Sequence, residues 1–195
     1  MIINENISFN SVSAFELKRL KSGIKSPRLD IVPITTPIFR FASSFNRSRN
    51  TMTNINEQVQ GPWWLSLEDY LKIEREYWLG LSMKRGNKSA AMPLGWYARR
   101  AAAIRQEWSN VDLLIRAEVV ASVKVFKGLG IDQNREPYGG KGFGMASVYF
   151  SWDAWKSIEQ IFIPNLDPSN VGKLKTGEIL LKNINIQPID SIQLW

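Results

Sequence analysis

Among 195 residues there is no cysteine and no histidine. Such a chain has no disulfide to staple it and no thiolate or imidazole to hold a structural zinc. Burial of apolar side chains has to fix its fold. The material is present: 8 Trp, 9 Phe and 5 Tyr in a chain that is 44% hydrophobic supply large areas to remove from water. The same two absences exclude a Ser-His-Asp triad, a cysteine nucleophile, and a zinc or haem site built from the chain's own side chains.

The apolar segments are short and do not follow a βαβ alternation. Residues 1–33, rich in Asn, Ser and Lys, read as a weakly ordered N-terminal segment. It holds one amphipathic turn, with Phe15, Leu17 and Leu20, and is broken by Gly23, Pro27 and Pro33. Residues 34–195 read as a single domain. Ile34 to Ala42 is a strand, and Ser43 to Gln60 a polar loop. Gly61 to Leu65 is a short strand that runs into a helix through Ser66-Leu67-Glu68-Asp69, an acid three residues after a hydroxyl. Apolar spacing predicts helices over 67–81 and about 93–108. Strands are expected at 111–118, 122–126, 146–150, 160–164, 179–186 and 189–194, with a glycine-rich turn region over 128–144. Many short strands around two helices predict an α+β fold, drawn as two small, bent antiparallel or mixed sheets.

The net charge of +7 and pI near 9.7 favour anionic partners: nucleic acid, anionic lipid or a dinucleotide. Lys84, Arg85, Lys88, Arg99, Arg100 and Arg105 are the candidates for a nucleic-acid surface. The sequence contains no uninterrupted apolar run of membrane-spanning length. The first ten residues, MIINENISFN, lack a secretory pattern, so the expected setting is the cytoplasm or export without a classical signal. The Gly139-Gly140-Lys141-Gly142 run fails as a P-loop because Gly142 stands where Ser or Thr is required. No Asp-rich loop has the spacing of a cation site, and no metal is expected.

Three elements carry chemistry. Arg40 lies in an apolar strand, Pro37-Ile38-Phe39-Arg40-Phe41, where it either faces solvent or meets an anion. Trp63 and Trp64 are adjacent on a strand and so point to opposite faces; one could line a pocket, or both could be core. Ser66 is either an N-cap or a site hydroxyl. Glu159 precedes the apolar run Gln160-Ile161-Phe162-Ile163, where a carboxylate could stabilise charge developing on a ribose carbon.

In this order the elements resemble the ADP-ribosyltransferase superfamily and its toxin-like or effector-like members. The matching features are an Arg-bearing first strand, a Gly-x-Trp-aromatic strand entering a helix (Gly61 to Tyr70), and an acid or amide before an apolar strand ending in Pro-Asn (159–165). The resemblance covers about residues 34–165. It implies NAD as substrate, for ADP-ribosyl transfer or NAD hydrolysis. Glu159, Arg40 and Ser66 would be catalytic; Arg40, Trp63, Trp64 and Gln160 would bind the dinucleotide; the acceptor is an unnamed protein or nucleic acid. No Ser-Thr-Ser triplet is present, and Ser157 stands two residues before Glu159 where arginine-modifying members carry Glu or Gln. The alternatives are a basic nucleic-acid-binding module without catalysis and a structural or adaptor protein.

Overall fold

The computed structural model describes residues 1–46, 49–83, 93–102, 104, 110–131 and 157–189. The elements follow in chain order: β1 (Ile2–Ile3), α1 (Ala14–Gly23), β2 (Ile24–Val32), β3 (Pro37–Ala42), β4 (Phe45–Asn46), β5 (Thr51–Met52), α2 (Ile55–Val59), β6 (Trp63–Ser66), α3 (Leu67–Met83), α4 (Leu94–Ala101), β7 (Leu113–Val119), β8 (Ser122–Gly130), β9 (Glu159–Phe162) and β10 (Leu181–Pro188). The class is α+β, as expected. Instead of two small sheets, one eight-stranded sheet runs β1-β8-β9-β6-β3-β7-β10, with β2 added on β8; β4 and β5 form a separate two-stranded hairpin. All the pairings are antiparallel except that of β1 with β8.

Connectivity forces this sheet to curl. Strands β7 and β8 are separated in the sheet by β3, β6 and β9. Four inter-strand spacings would set them about 19 Å apart in a flat sheet. Yet only Val120 and Ala121 link Val119 to Ser122, a reach of at most about 11 Å. The sheet therefore bends until the end of β7 meets the start of β8.

Its concave face is lined by Ile38 and Ala42 of β3, Trp64 of β6, Ile161 of β9, Ile115, Ala117 and Val119 of β7, and Val123 and Val125 of β8. Val59 of α2 and Leu166, Leu174 and Leu180 from the segment before β10 fill the hollow. On the convex face α3 and α4 cover Phe39, Phe41, Leu65 and Leu114. There Phe39 stacks on Tyr70 with ring centroids 4.4 Å apart. At the other end of that face Leu20 and Ile24, with half-buried Trp63, pack on Phe126 and Phe162.

Two sequence expectations are corrected here. The segment 1–33 is not loosely attached. Ile3, Ile7, Val12, Leu20, Ile24 and Val32 are all buried, and β2 pairs along β8 from Ile24↔Gly130 to Val32↔Val123. Its apolar residues are sparse in sequence, and these six are spent on the core while Phe15, Leu29 and Ile31 stay exposed. The stretch 43–60 is not a plain loop: it holds the β4–β5 hairpin and α2. A reciprocal capping box starts α2, with Asn54 accepting from Glu57 N–H and Glu57 accepting from Asn54 N–H. The second helix stops at Ala101, with Ala102 as its C-cap, rather than running to about 108. The glycine-rich run 139–144, the strand expected at 146–150 and all but the first residue of the strand expected at 189–194 lie outside the described residues.

Candidate functional site

The sequence candidates sit on three neighbouring strands, β3, β6 and β9. The β6–β9 register pairs Trp63 with Phe162, Trp64 with Ile161 and Leu65 with Gln160; continued by one residue, it sets Ser66 beside Glu159. On the other side Ser66 pairs with Ile38. Arg40 is two residues further along β3. Strand spacing and rise put its Cα on the order of 12 Å from that of Glu159.

Ser66 starts α3. Its Oγ accepts from Asp69 N–H at 3.1 Å and donates to Asp69 Oδ2 at 2.6 Å. The other oxygen of the buried Asp69 accepts from Glu159 N–H at 3.3 Å and from Lys72 Nζ at 3.2 Å. The hydroxyl is thus an N-cap, and through Asp69 the start of α3 is tied to the first residue of β9.

Glu159 occupies an open rim. Arg28 of β2 grips its carboxylate through both guanidinium nitrogens, at 2.5 and 2.9 Å, and Lys127 Nζ lies 3.4 Å away. The Arg28 fork, with Lys127 behind it, holds the Glu159 carboxyl below its ordinary value despite partial burial. Beside it a depression of about 360 Å³ is lined by Lys72, Arg75, Glu76 and Ser157, and Lys72 Nζ donates to Ser157 O at 3.2 Å. The rim therefore pairs an ionised carboxylate with Arg28 and Lys127, cations able to hold phosphate groups, while Lys72 in the neighbouring depression is held by Glu68 at 2.8 Å and Asp69 at 3.2 Å. Sequence reasoning missed Arg28 and Lys127. Arg28 lies 131 residues from Glu159 in a segment read as weakly ordered, and no local pattern connects them.

Arg40 is directed away from this rim, on the concave face under α2. Its Nε donates to Gln58 O at 3.0 Å and its Nη1 to Trp63 O at 3.1 Å. A Cβ at Gly61 would stand 1.9 Å from its Nη2, so the approach requires glycine there. Burial, and then the like charge of Arg19, push the Arg40 guanidinium down to about 10. Both tryptophans pack into the protein. Trp63 meets Phe162 edge-on at 4.8 Å, and its ring abuts Gly23. Trp64 is 1% exposed, and its indole N–H finds no acceptor among the described residues, so its role there is to fill volume. Buried Gln160 donates to Ala102 O at 2.9 Å, clamping the end of α4 to the sheet.

Of the basic residues expected to form a nucleic-acid surface, Lys84, Arg85, Lys88 and Arg105 lie outside the described residues. Arg99 is buried and donates to Ile104 O; Arg100 lies over the Trp96 ring, 5.6 Å from its centroid. No described helix is long and apolar enough to cross a membrane. No protein-family model matches the chain, and neither a curated protein nor a solved structure matches it.

Proposed function

We propose that the chain binds a phosphate-bearing nucleotide at the Glu159 rim, with NAD as the first candidate, and that ADP-ribosyl transfer or NAD hydrolysis is the reaction there. The observation that carries this is the grouping of an ionised Glu159 with Arg28 and Lys127 beside the depression lined by Lys72 and Arg75. Phosphates would take the cations. Arg28 is 53% exposed, so its side chain can swing from the carboxylate to a ligand at little cost. Glu159, released, would then face the ribose and stabilise the positive charge that grows as nicotinamide leaves; only such differential stabilisation raises the rate. In this arrangement Arg28 takes the anion-binding role that the sequence suggested for Arg40, and Arg40, Trp63, Trp64 and Gln160 support the rim from behind.

One observation favours a second reading, a non-catalytic structural or adaptor protein: Arg40, Ser66, Trp63 and Gln160 each already have a structural partner. Titration calorimetry with NAD separates the two. The first reading predicts binding that weakens about tenfold or more in Arg28→Ala, the loss expected for a charge-assisted contact. Absence of any heat with folded wild type favours the second.

A further inference from the structure

We propose that α1 and the first half of β2 form a docking strip for the phosphodiester backbone of single-stranded nucleic acid. From residue 18 to residue 28 the chain carries Lys18, Arg19, Lys21, Lys25 and Arg28 and no carboxylate. Helix and strand join without a loop, Gly23 ending one and Ile24 opening the other. Leu20 and Ile24 are fully buried, and that leaves Lys18, Lys21, Lys25 and Arg28 exposed. Lys18, Lys21 and Lys25 form no ion pair with a described carboxylate. Of the two acids that flank the strip in sequence, Asp30 lies beyond Arg28 and acts on it, and Glu16 is 7% exposed and committed inward to Asn165 N–H, the Ser13 hydroxyl and Lys175. Arg28 is paired with Glu159, but the three lysines ahead of it are an electrostatic footprint for a polyanion, whose bound counterions they would release.

Two further features suit a single strand. Phe15 is 69% exposed, and the Arg19 guanidinium lies 5.6 Å from its ring centroid, which offers flat groups on which a base can stack. The β2–β8 register shifts between Lys25 and Arg28, where Ser26 takes a φ of 48°. Such a bulge bends an edge strand and re-aims its side chains. An anionic membrane is the weaker fit. An interfacial helix needs an apolar outward face, whereas the exposed residues of α1 include Lys18, Lys21 and Ser22, and Leu17 and Leu20 are spent on the core.

The strip shares Arg28 with the Glu159 rim but rests on Lys18, Lys21 and Lys25, and it is tested without NAD. The probe is a fluorescein-labelled oligothymidylate, titrated with the full chain and followed by anisotropy at several salt concentrations. Wild type should bind with a log–log salt slope of about −2, the value for about three phosphate contacts on a single strand. Lys18→Glu with Lys21→Glu should weaken binding at least tenfold. Arg116→Glu with Lys182→Glu makes the same charge change at the β7–β10 edge and should have a much smaller effect. All four side chains are exposed, so melting temperature should hold and serves as the folding control. Equal weakening by both pairs would reduce the strip to net charge and overturn the proposal. So would absence of binding at low salt, or binding only to vesicles containing phosphatidylserine.

Discussion

At the residue scale, two glycines and the Glu16 carboxylate show how closely the fold is fitted. Gly61 lets the chain pass over the Arg40 guanidinium. Gly61→Ala would push that group off the carbonyls of Gln58 and Trp63, and we expect a loss of about 1–3 kcal/mol in urea unfolding. Gly95 is the stricter case. A Cβ there would stand 2.3 Å from the Val111 carbonyl oxygen, and backbone yields less readily than a side-chain tip. Gly95→Ala should therefore cost more than Gly61→Ala; the reverse order would mean that Arg40 is held more rigidly than its two hydrogen bonds suggest.

Glu16 makes a prediction about acid. Burial raises its pKa, but the Asn165 N–H, the Ser13 hydroxyl and Lys175 outweigh that and leave it below its ordinary 4.5. A depressed folded value means stability that is present above 4.5 and lost as pH falls through the folded value. Glu16→Gln should therefore be less stable than wild type at neutral pH, and the gap should narrow on the way to pH 3. Urea midpoints across that range give the comparison; a gap that stays constant would show that the Glu16 charge plays no part.

At the scale of elements, the N-terminal segment is the test of the fold. Leu20 on α1 is fully buried against Ile24, Phe126 and Phe162. Leu20→Ala should cost about 2–5 kcal/mol, transfer and cavity together. A cost under ~0.5 kcal/mol would mean that α1 is only loosely docked. Ser66→Ala should cost about 1 kcal/mol for the lost cap of α3.

Elements with strong local signals were legible in the sequence. The capping pattern at Ser66–Asp69 and the apolar spacing after it mark α3, and the strands expected at 111–118 and 122–126 locate β7 and the first half of β8, whose last residues, Gly128 to Gly130, fall where the glycine pattern signals the start of a turn. The Asn54–Glu57 capping box was equally local and was overlooked inside a polar stretch. Residues 1–33 were illegible for a different reason. Six buried apolar side chains spread over thirty residues make no period, and β2 becomes a strand because β8 is there to pair with it.

At the scale of the whole molecule, sequence order concealed the site. That Arg40, Ser66 and Glu159 sit on three consecutive strands of the sheet is a fact of topology, and their rank along the chain only hinted at it. Which of them share a rim is set by the curl and by partners far away in sequence. Ser66 and Glu159 meet through Asp69, Arg28 closes on Glu159 from the edge strand, and Arg40 turns under α2. The central claim is that Glu159 is a working carboxylate held ready by Arg28. The direct measurement is nicotinamide release from NAD by wild type and by Glu159→Gln, with and without cell lysate as a source of acceptor. Because Arg28 is 53% exposed and the pair sits at an open rim, Glu159→Gln should unfold within ~1 kcal/mol of wild type. The account predicts turnover by wild type and a fall of about 10²-fold in the variant, the usual cost of removing one electrostatic stabiliser. A folded wild type that releases no nicotinamide in either condition, or a variant that keeps full activity, would contradict it.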